Sequence, residues 1–238
     1  MLSPIIIALD FEINDALNLA SKLDPSECKL KVGYQLFTAG GPAVIEKLKN
    51  LGFDIFLDLK FHDIPSTVYK AVQNSLEIGI WMLNVHAAGG GEMLKAASSA
   101  IESSEKKPIL LGVTLLTSLN KGSLREIGFG PDVEVESLVI SFAKLCRSNG
   151  LDGVVCSPQE IKSLRKEIGK DFVLVTPGIR SNQIAGDDQK RTTSPFKALK
   201  EGADYIVVGR EVTLDHNPSD KVKQILENIP KQTLNNLK

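Results

Sequence analysis

Short apolar runs recur along the whole chain, and amphipathic stretches separate them. The eight runs are IIIALD (5–10), CKLKVG (28–33), DIFLDLK (54–60), MLNVHA (82–87), PILLGVT (108–114), GVVC (153–156), FVLVTPG (172–178) and YIVVGR (205–210). Runs that are apolar on both faces and alternate with helices are typical of parallel strands buried under helices. The pattern therefore predicts an α/β fold.

Six of the stretches between these runs place apolar residues at helical spacing, and several end near Gly, as helices often do. They are DALNLASKL (15–23), PAVIEKLKNLG (42–52), STVYKAVQNSLEIG (66–79), EVESLVISFAKLCRSNG (134–150), PQEIKSLRKEIG (158–169) and DKVKQILENI (220–229). Eight strand-helix units in 238 residues match a closed (β/α)8 TIM barrel, a fold of roughly 250 residues. No linker or change of composition divides the chain, so we expect residues 1–238 to form a single catalytic barrel domain.

An open, doubly wound parallel sheet is the alternative architecture. That fold usually carries a GxGxxG turn after its first strand, and none is present there. The GGG at 89–91 follows the fourth run and lacks the spacing. The barrel is therefore the favoured prediction.

The composition argues against several classes of partner. The 28 Lys and Arg against 29 Asp and Glu give a net charge of −1, which offers little attraction for nucleic acid or an anionic membrane. The three cysteines show no CxxC spacing, so neither a disulfide framework nor a zinc site is indicated. The start MLSPIIIALDF has no basic leader, and PILLGVTLL is too short to span a bilayer. We expect a cytoplasmic protein.

Polar residues lie where the predicted strands end. They are Asp10, Lys31, Asp58 with Lys60, His86, and Gly209 with Arg210. A single polar residue at a strand end is usually a turn or cap residue. Active sites of these barrels lie at the carboxyl ends of the strands, and ionisable groups at five strand ends favour a site there.

The segment FLDLKFHDIP (56–65) sets Asp58, Lys60 and Asp63 close together. Residues two apart on a strand share a face, so Asp58 and Lys60 can both reach the barrel mouth, with Lys31 beside them. One interpretation is a structural ion-pair network. The other is a lysine that nearby carboxylates hold in its ammonium form, which suits it to donate a proton to a carbanion.

The ends of the last two strands suggest a phosphate site. TPGIR (176–180) and VGR (208–210) lie where such barrels commonly bind phosphate, and Arg180, Gly209 and Arg210 supply forked donors and close backbone approach. The polar stretch 180–195 is longer than the roughly 2 to 6 residues usual for these loops. We expect it to be a lid over the phosphate. Gln189 is its polar side chain best placed to reach inward, although spacing alone does not select it.

With these motifs in order, the chain resembles the orotidine 5′-phosphate decarboxylase family over nearly its whole length. The matching motifs are ALD (8–10), KVG (31–33), DLKFHDIPSTV (58–68), NVHA (84–87), LTSL (116–119), PGIR (177–180), GDDQKR (186–191) and VVGR (207–210). The segment after VVGR reads EVT where PIT or SIT is more usual, and Ser66 stands where Asn is common. The resemblance implies decarboxylation of orotidine 5′-phosphate (OMP) to UMP by an enzyme with no metal and no organic cofactor.

The resemblance also assigns roles. Lys60 would protonate C6 of the pyrimidine, with Asp58 beside it, Lys31 completing the charge array, and Asp63 supplied by the second subunit of a homodimer. The implied substrate-binding residues are Asp10 and Lys31 for the ribose, Thr67 of the partner subunit, Thr117 for the pyrimidine, Arg180, Gln189, Gly209 and Arg210 for the phosphate, and Ile64 and Pro177.

Two alternatives remain open. Relatives on the same barrel, 3-keto-L-gulonate 6-phosphate decarboxylase and hexulose-6-phosphate synthase, also carry Asp-x-Lys-x-x-Asp but bind Mg²⁺ through a Glu where this chain has Lys31. A lysine there would repel the cation. A non-catalytic nucleotide-binding barrel is the second alternative, although it would have no need of a charge-paired lysine.

Overall fold

The computed structural model describes residues 3–102, 104–181 and 193–230. Its eight strands are β1 (Ile5–Ala8), β2 (Lys29–Val32), β3 (Ile55–Phe61), β4 (Met82–His86), β5 (Ile109–Val113), β6 (Gly153–Val155), β7 (Val173–Thr176) and β8 (Tyr205–Val208). All pairs are parallel, and the strands follow one another in chain order around a closed barrel, with Ile6 of β1 paired to Val207 of β8. The predicted barrel and all eight strands are confirmed.

Helices surround the barrel. In the described ranges they are α1 (Ile13–Ala20), α2 (Tyr34–Asn50), α3 (Pro65–Ile78), α4 (Gly90–Glu102), α5 (Lys121–Glu126), α6 (Val135–Ser148), α7 (Ile161–Ile168), α8 (Pro195–Glu201), α9 (Arg210–Thr213) and α10 (Pro218–Glu227). The helical pattern did not predict α4, α5, α8 or α9, since α4 begins in glycines and the other three are short. None of the described helices has the length and apolar character to cross a bilayer.

Two buried layers follow from the side-chain alternation of the strands. Outward residues such as Ile5, Ile7 and Leu30 pack under the helices. Inward residues such as Ile6, Phe56 and Met82 fill the barrel itself. On β2 the inward positions are Lys29 and Lys31 instead, so this strand brings two lysines into the barrel. The packed interior closes the barrel at the amino ends of its strands and leaves it open at their carboxyl ends.

Candidate active site

A cavity of about 370 Å³ opens at the carboxyl ends of the strands. The predicted site residues that line it are Asp10, Lys31, Asp58, Lys60, Thr117, Pro177, Arg180 and Gly209. Inward apolar side chains such as Phe56, Val155 and Val207 also line it. The cavity therefore places charged groups beside an apolar surface, where their interactions are stronger than in water.

Four of these side chains form a chain of alternating charge across β1, β2 and β3. Nζ of Lys31 lies 3.3 Å from Oδ1 of Asp10 and 3.2 Å from Oδ2 of Asp58. Nζ of Lys60 lies 2.7 Å from Oδ1 of Asp58. Asp58 thus uses one carboxylate oxygen for each lysine, and the pairing predicted from the spacing of Asp58 and Lys60 is present.

The alternating charges stabilise the ionised forms of the two buried groups among them, Asp58 and Lys31. For Asp58, burial is the largest influence and would raise the pKa, but Lys31, Lys60 and the hydrogen bonds to the carboxylate together lower it. For Lys31, burial would lower the pKa, and the combined attraction of Asp58 and Asp10 raises it above its usual value. Each group is stabilised in its charged form by its neighbours.

Lys60 has an unusual backbone. Its φ of 45° lies in the left-handed region, and it is the one non-glycine residue with a positive φ in the described chain. The pairing of β3 with β4 shifts register between Leu57 and Phe61, so the strand bulges here. The regular strand assumed from the sequence is therefore interrupted at the lysine itself.

Two further residues contact this lysine and were not predicted from the sequence. Asn84 accepts a hydrogen bond from the backbone N–H of Lys60 and donates one to Asp58. The ring of Tyr34 lies 5.6 Å from Nζ of Lys60, and its hydroxyl donates to the carbonyl of Leu59 at 2.7 Å. An amide inside the apolar run MLNVH was the available signal for Asn84.

Asp63, Ile64 and Thr67 lie apart from the main cavity. Asp63 and Thr67 border a second cavity of about 380 Å³, which Lys60 also lines. Asp63 accepts the N–H of Ile64 at 2.6 Å, and within the described residues it forms no ion pair with Lys60 of its own chain. Ile64 is 65% exposed. These three predicted site residues face outward beside the lysine.

The phosphate-binding candidates occupy the other side of the mouth. Arg180 is buried and donates from Nη1 to the carbonyl of Ile179 at 2.8 Å, and Gly209 lines the main cavity. Arg210 begins α9 and lines an adjoining cavity of about 430 Å³, which shares Asp10 and Gly209 with the first. Gln189, predicted to reach inward, lies outside the described residues.

Both ends of the predicted lid segment are anchored. The N–H of Arg180 donates to the carbonyl of Thr193 at 2.9 Å, so the chain returns beside the point where it left. The backbone N–H of Ser181 donates to Oε2 of Glu211 at 2.8 Å, and the other oxygen of Glu211 lies 3.6 Å from Nζ of Lys221. Glu211 is the first residue of the unusual EVT segment and ties the segment that follows β7 to the start of α9.

His86 ends β4 but does not line the main cavity. Its ring stacks on His62 at 5.2 Å, and Nδ1 accepts the N–H of Ala88. Burial, His62 and Lys60 lower the pKa of His86.

Among residues 3–102, 104–181 and 193–230, no cluster of three or more His, Cys, Asp or Glu could hold a metal ion.

Comparison with known proteins identifies the relatives of this chain. The family model described as "Orotidine 5′-phosphate decarboxylase / HUMPS family" matches residues 3–225. The orotidine 5′-phosphate decarboxylase of Chromobacterium violaceum is 47% identical over 95% of this chain and 92% of its own length. That of Neisseria meningitidis serogroup C is 48% identical over 94% and 91%. The crystal structure of the Lactobacillus acidophilus enzyme superposes with a TM-score of 0.84 at 38% identity, over 94% of this chain and 98% of that chain.

Proposed function

Because the chain belongs to the orotidine 5′-phosphate decarboxylase / HUMPS family and converts OMP to UMP, we propose that Lys60 protonates the carbanion that this decarboxylation leaves at C6. The observation that carries the proposal is the 2.7 Å contact between Nζ of Lys60 and Oδ1 of Asp58 inside the main cavity. No metal ion and no organic cofactor takes part in the proposed reaction.

The chemistry follows from the charges. When the bond between C6 and the carboxylate carbon breaks, CO2 leaves and the electron pair stays on C6. The ammonium groups of Lys60 and Lys31 stabilise that developing negative charge, and Lys60 then donates its proton to C6. Asp58 keeps both ammonium groups directed at the cavity, since each lies within 3.2 Å of one of its oxygens.

The same proposal assigns the rest of the substrate to residues that line the main cavity and the cavity adjoining it. Arg180, Gly209 and Arg210 take the phosphate at the ends of β7 and β8, because arginine forks and an open backbone suit phosphate oxygens. Asp10 and Lys31 hold the ribose hydroxyls, while Thr117 and Pro177, which also line the main cavity, contact the pyrimidine. Gln189 joins the phosphate contacts in this proposal.

We further propose that two copies form a homodimer in which Asp63, Ile64 and Thr67 complete the partner's site. Their outward position beside Lys60 supports this arrangement, as does the lack of an ion pair between Asp63 and Lys60 in the described part of one chain. Lys60 of each subunit would then lie near two carboxylates, Asp58 of its own strand and Asp63 of the partner subunit.

The setting proposed for the enzyme is the cytoplasm, with residues 1–238 acting as one catalytic domain. Cys28, Cys146 and Cys156 are all buried free thiols, which suits a reducing compartment. Every described strand belongs to the same closed barrel, which supports a single domain.

The Mg²⁺-dependent relatives considered as alternatives in the sequence analysis are less well supported. Their metal would have to sit beside Lys31, whose ammonium group is already paired with Asp10 and Asp58. A non-catalytic nucleotide-binding barrel leaves the paired Lys60 without a purpose.

The deciding experiment measures OMP turnover by purified, EDTA-treated protein, followed as loss of pyrimidine absorbance. Conversion to UMP without added metal is expected. Activity that returns only with Mg²⁺ would favour a metal-dependent relative, and calorimetric binding of UMP without turnover of OMP would favour the nucleotide-binding barrel.

A further inference from the structure

Asn84 lies in the middle of β4 with a side chain that is wholly buried. Its neighbours along the strand, Leu83 and Val85, are apolar core residues. Burying an amide costs free energy unless its polar atoms find partners. Both ends of this amide do, and both partners belong to the charged group at the mouth of the barrel.

The oxygen of the amide holds the backbone of Lys60. Oδ1 of Asn84 accepts the N–H of Lys60 at 2.7 Å. Because β3 and β4 lose their regular register between Leu57 and Phe61, this N–H falls where the strands no longer pair regularly. The φ of 45° at Lys60 is unfavourable for a residue with a Cβ atom. The hydrogen bond that the Lys60 N–H donates to Asn84 favours that conformation over a regular strand.

The nitrogen of the same amide holds the carboxylate. Nδ2 of Asn84 donates to Oδ1 of Asp58 at 2.6 Å, and this is the oxygen that Nζ of Lys60 contacts at 2.7 Å. Lys31 contacts the other oxygen at 3.2 Å. One buried side chain thus touches the carboxylate of the pair and the backbone from which its lysine projects.

We propose that Asn84 is a positioning residue that sets the direction of the Lys60 ammonium group by fixing both the left-handed backbone of Lys60 and the carboxylate of Asp58. The inference rests on the function proposed above, since the direction of Lys60 matters only if it delivers a proton. Without Asn84, the backbone of Lys60 relaxes toward a regular strand, and its side chain turns away from the cavity.

The test compares Asn84→Leu, which keeps a similar volume but forms no hydrogen bond, with Ser75→Ala as a matched control. Ser75 is a buried polar residue of α3 whose hydroxyl donates to the carbonyl of Ala71, outside the site. A displacement on the order of 1 Å can cost about 100-fold in rate. We expect kcat of Asn84→Leu to fall by at least that factor while KM and the affinity for UMP change little, and Ser75→Ala to keep its kcat.

A second variant covers the case in which Asn84→Leu fails to fold. In Asn84→Asp the introduced carboxyl, while protonated, can still accept from Lys60 and donate to Asp58. Once ionised, the introduced carboxylate repels Asp58 and attracts Lys31 and Lys60. The titratable group of β4 itself that is nearest in sequence is His86, two residues further along the strand. We expect kcat of this variant to fall as pH rises through the ionisation of the introduced group, at pH values where circular dichroism shows it folded and the unchanged protein keeps its rate.

A crystal structure of either variant gives a readout that does not depend on turnover. A negative φ at Lys60 and a longer distance from Nζ to Asp58 are expected. If the unchanged protein fails to convert OMP while this rearrangement occurs, the proposed function fails and the positioning by Asn84 stands. If a folded variant keeps its kcat and pH profile, or keeps φ near 45°, Asn84 does not position Lys60.

Discussion

Lys29 and Lys31 point into the same barrel from the same strand, and their pKa values move in opposite directions. Burial lowers the pKa of Lys29, which faces the ring of Trp81 at 5.0 Å; in the described part of the chain its one acidic partner is Asp54, at 4.0 Å. Burial also opposes the charge of Lys31, but Asp58 and Asp10 raise its pKa. A single residue of β2, Leu30, lies between a lysine in the closed interior of the barrel and a lysine at its open mouth.

Replacing these two lysines by Met therefore has opposite expected effects on stability. Lys29→Met is expected to raise the free energy of unfolding by about 1 kcal/mol, because an apolar group replaces a poorly paired buried charge. Lys31→Met is expected to lower the free energy of unfolding by roughly 2 kcal/mol. The loss is smaller than for a buried carboxylate that loses its one cationic partner, because Lys60 still faces Asp58. Urea unfolding near neutral pH measures both.

The pH dependence of the same two variants has a defined sign. The raised pKa of Lys31 contributes stability that is fully present below its unfolded value, 10.5, and is lost as pH rises through the folded value. The lowered pKa of Lys29 has a cost that is fully present below its folded value and vanishes as pH rises to 10.5. Equal stability changes of the same sign in both variants would contradict this account.

Removing the amine of Lys60 should abolish turnover and leave the fold intact. Lys60→Ala loses the proton donor, so we expect no measurable conversion of OMP, with UMP binding retained because most substrate contacts lie elsewhere in the cavity. Lys144→Ala is the control, since Lys144 pairs with Glu167 on the surface. Decarboxylation that persists in Lys60→Ala would refute the role of Lys60 as proton donor.

Mixing two inactive variants tests the shared site. In a hybrid dimer of Lys60→Ala and Asp63→Ala, one site regains both its own Lys60 and the partner subunit's Asp63. Random exchange should restore about a quarter of wild-type activity, because half of the dimers are hybrid and each has one intact site. No recovery, with subunit exchange proven by mass spectrometry of the mixed dimers, would assign Asp63 to its own chain's site.

Contacts to the distant phosphate should act on rate as well as affinity. Binding energy from a remote part of a substrate can lower the barrier at the reacting centre, so Arg210→Ala should reduce kcat of the saturated enzyme as well as raise KM. The nucleoside orotidine lacks the phosphate and is the internal control, since its slow turnover should be nearly unchanged in this variant. An effect on KM alone would show that Arg210 contributes only uniform binding.

The fold and most of the residues that line the main cavity are predictable from the amino-acid sequence alone. The eight apolar runs became the eight strands because residues covered by helices on one side and packed inside the barrel on the other must be apolar on both faces. Parallel strands end at one side of a barrel, so polar residues at those ends converge on one cavity. Asp10, Lys31, Asp58 and Arg180 follow from this rule, and all four line the cavity.

Features that depend on contacts between neighbouring strands are not predictable from the sequence. The left-handed backbone of Lys60 and its hydrogen bond to Asn84 arise from the register shift between β3 and β4, and spacing within one strand carries no information about register with another. The separation of Asp63 from Lys60 arises in the same way, because the chain turns outward after the bulge. The sequence shows which groups reach the mouth of the barrel, while the pairing of neighbouring strands determines how each one is held there.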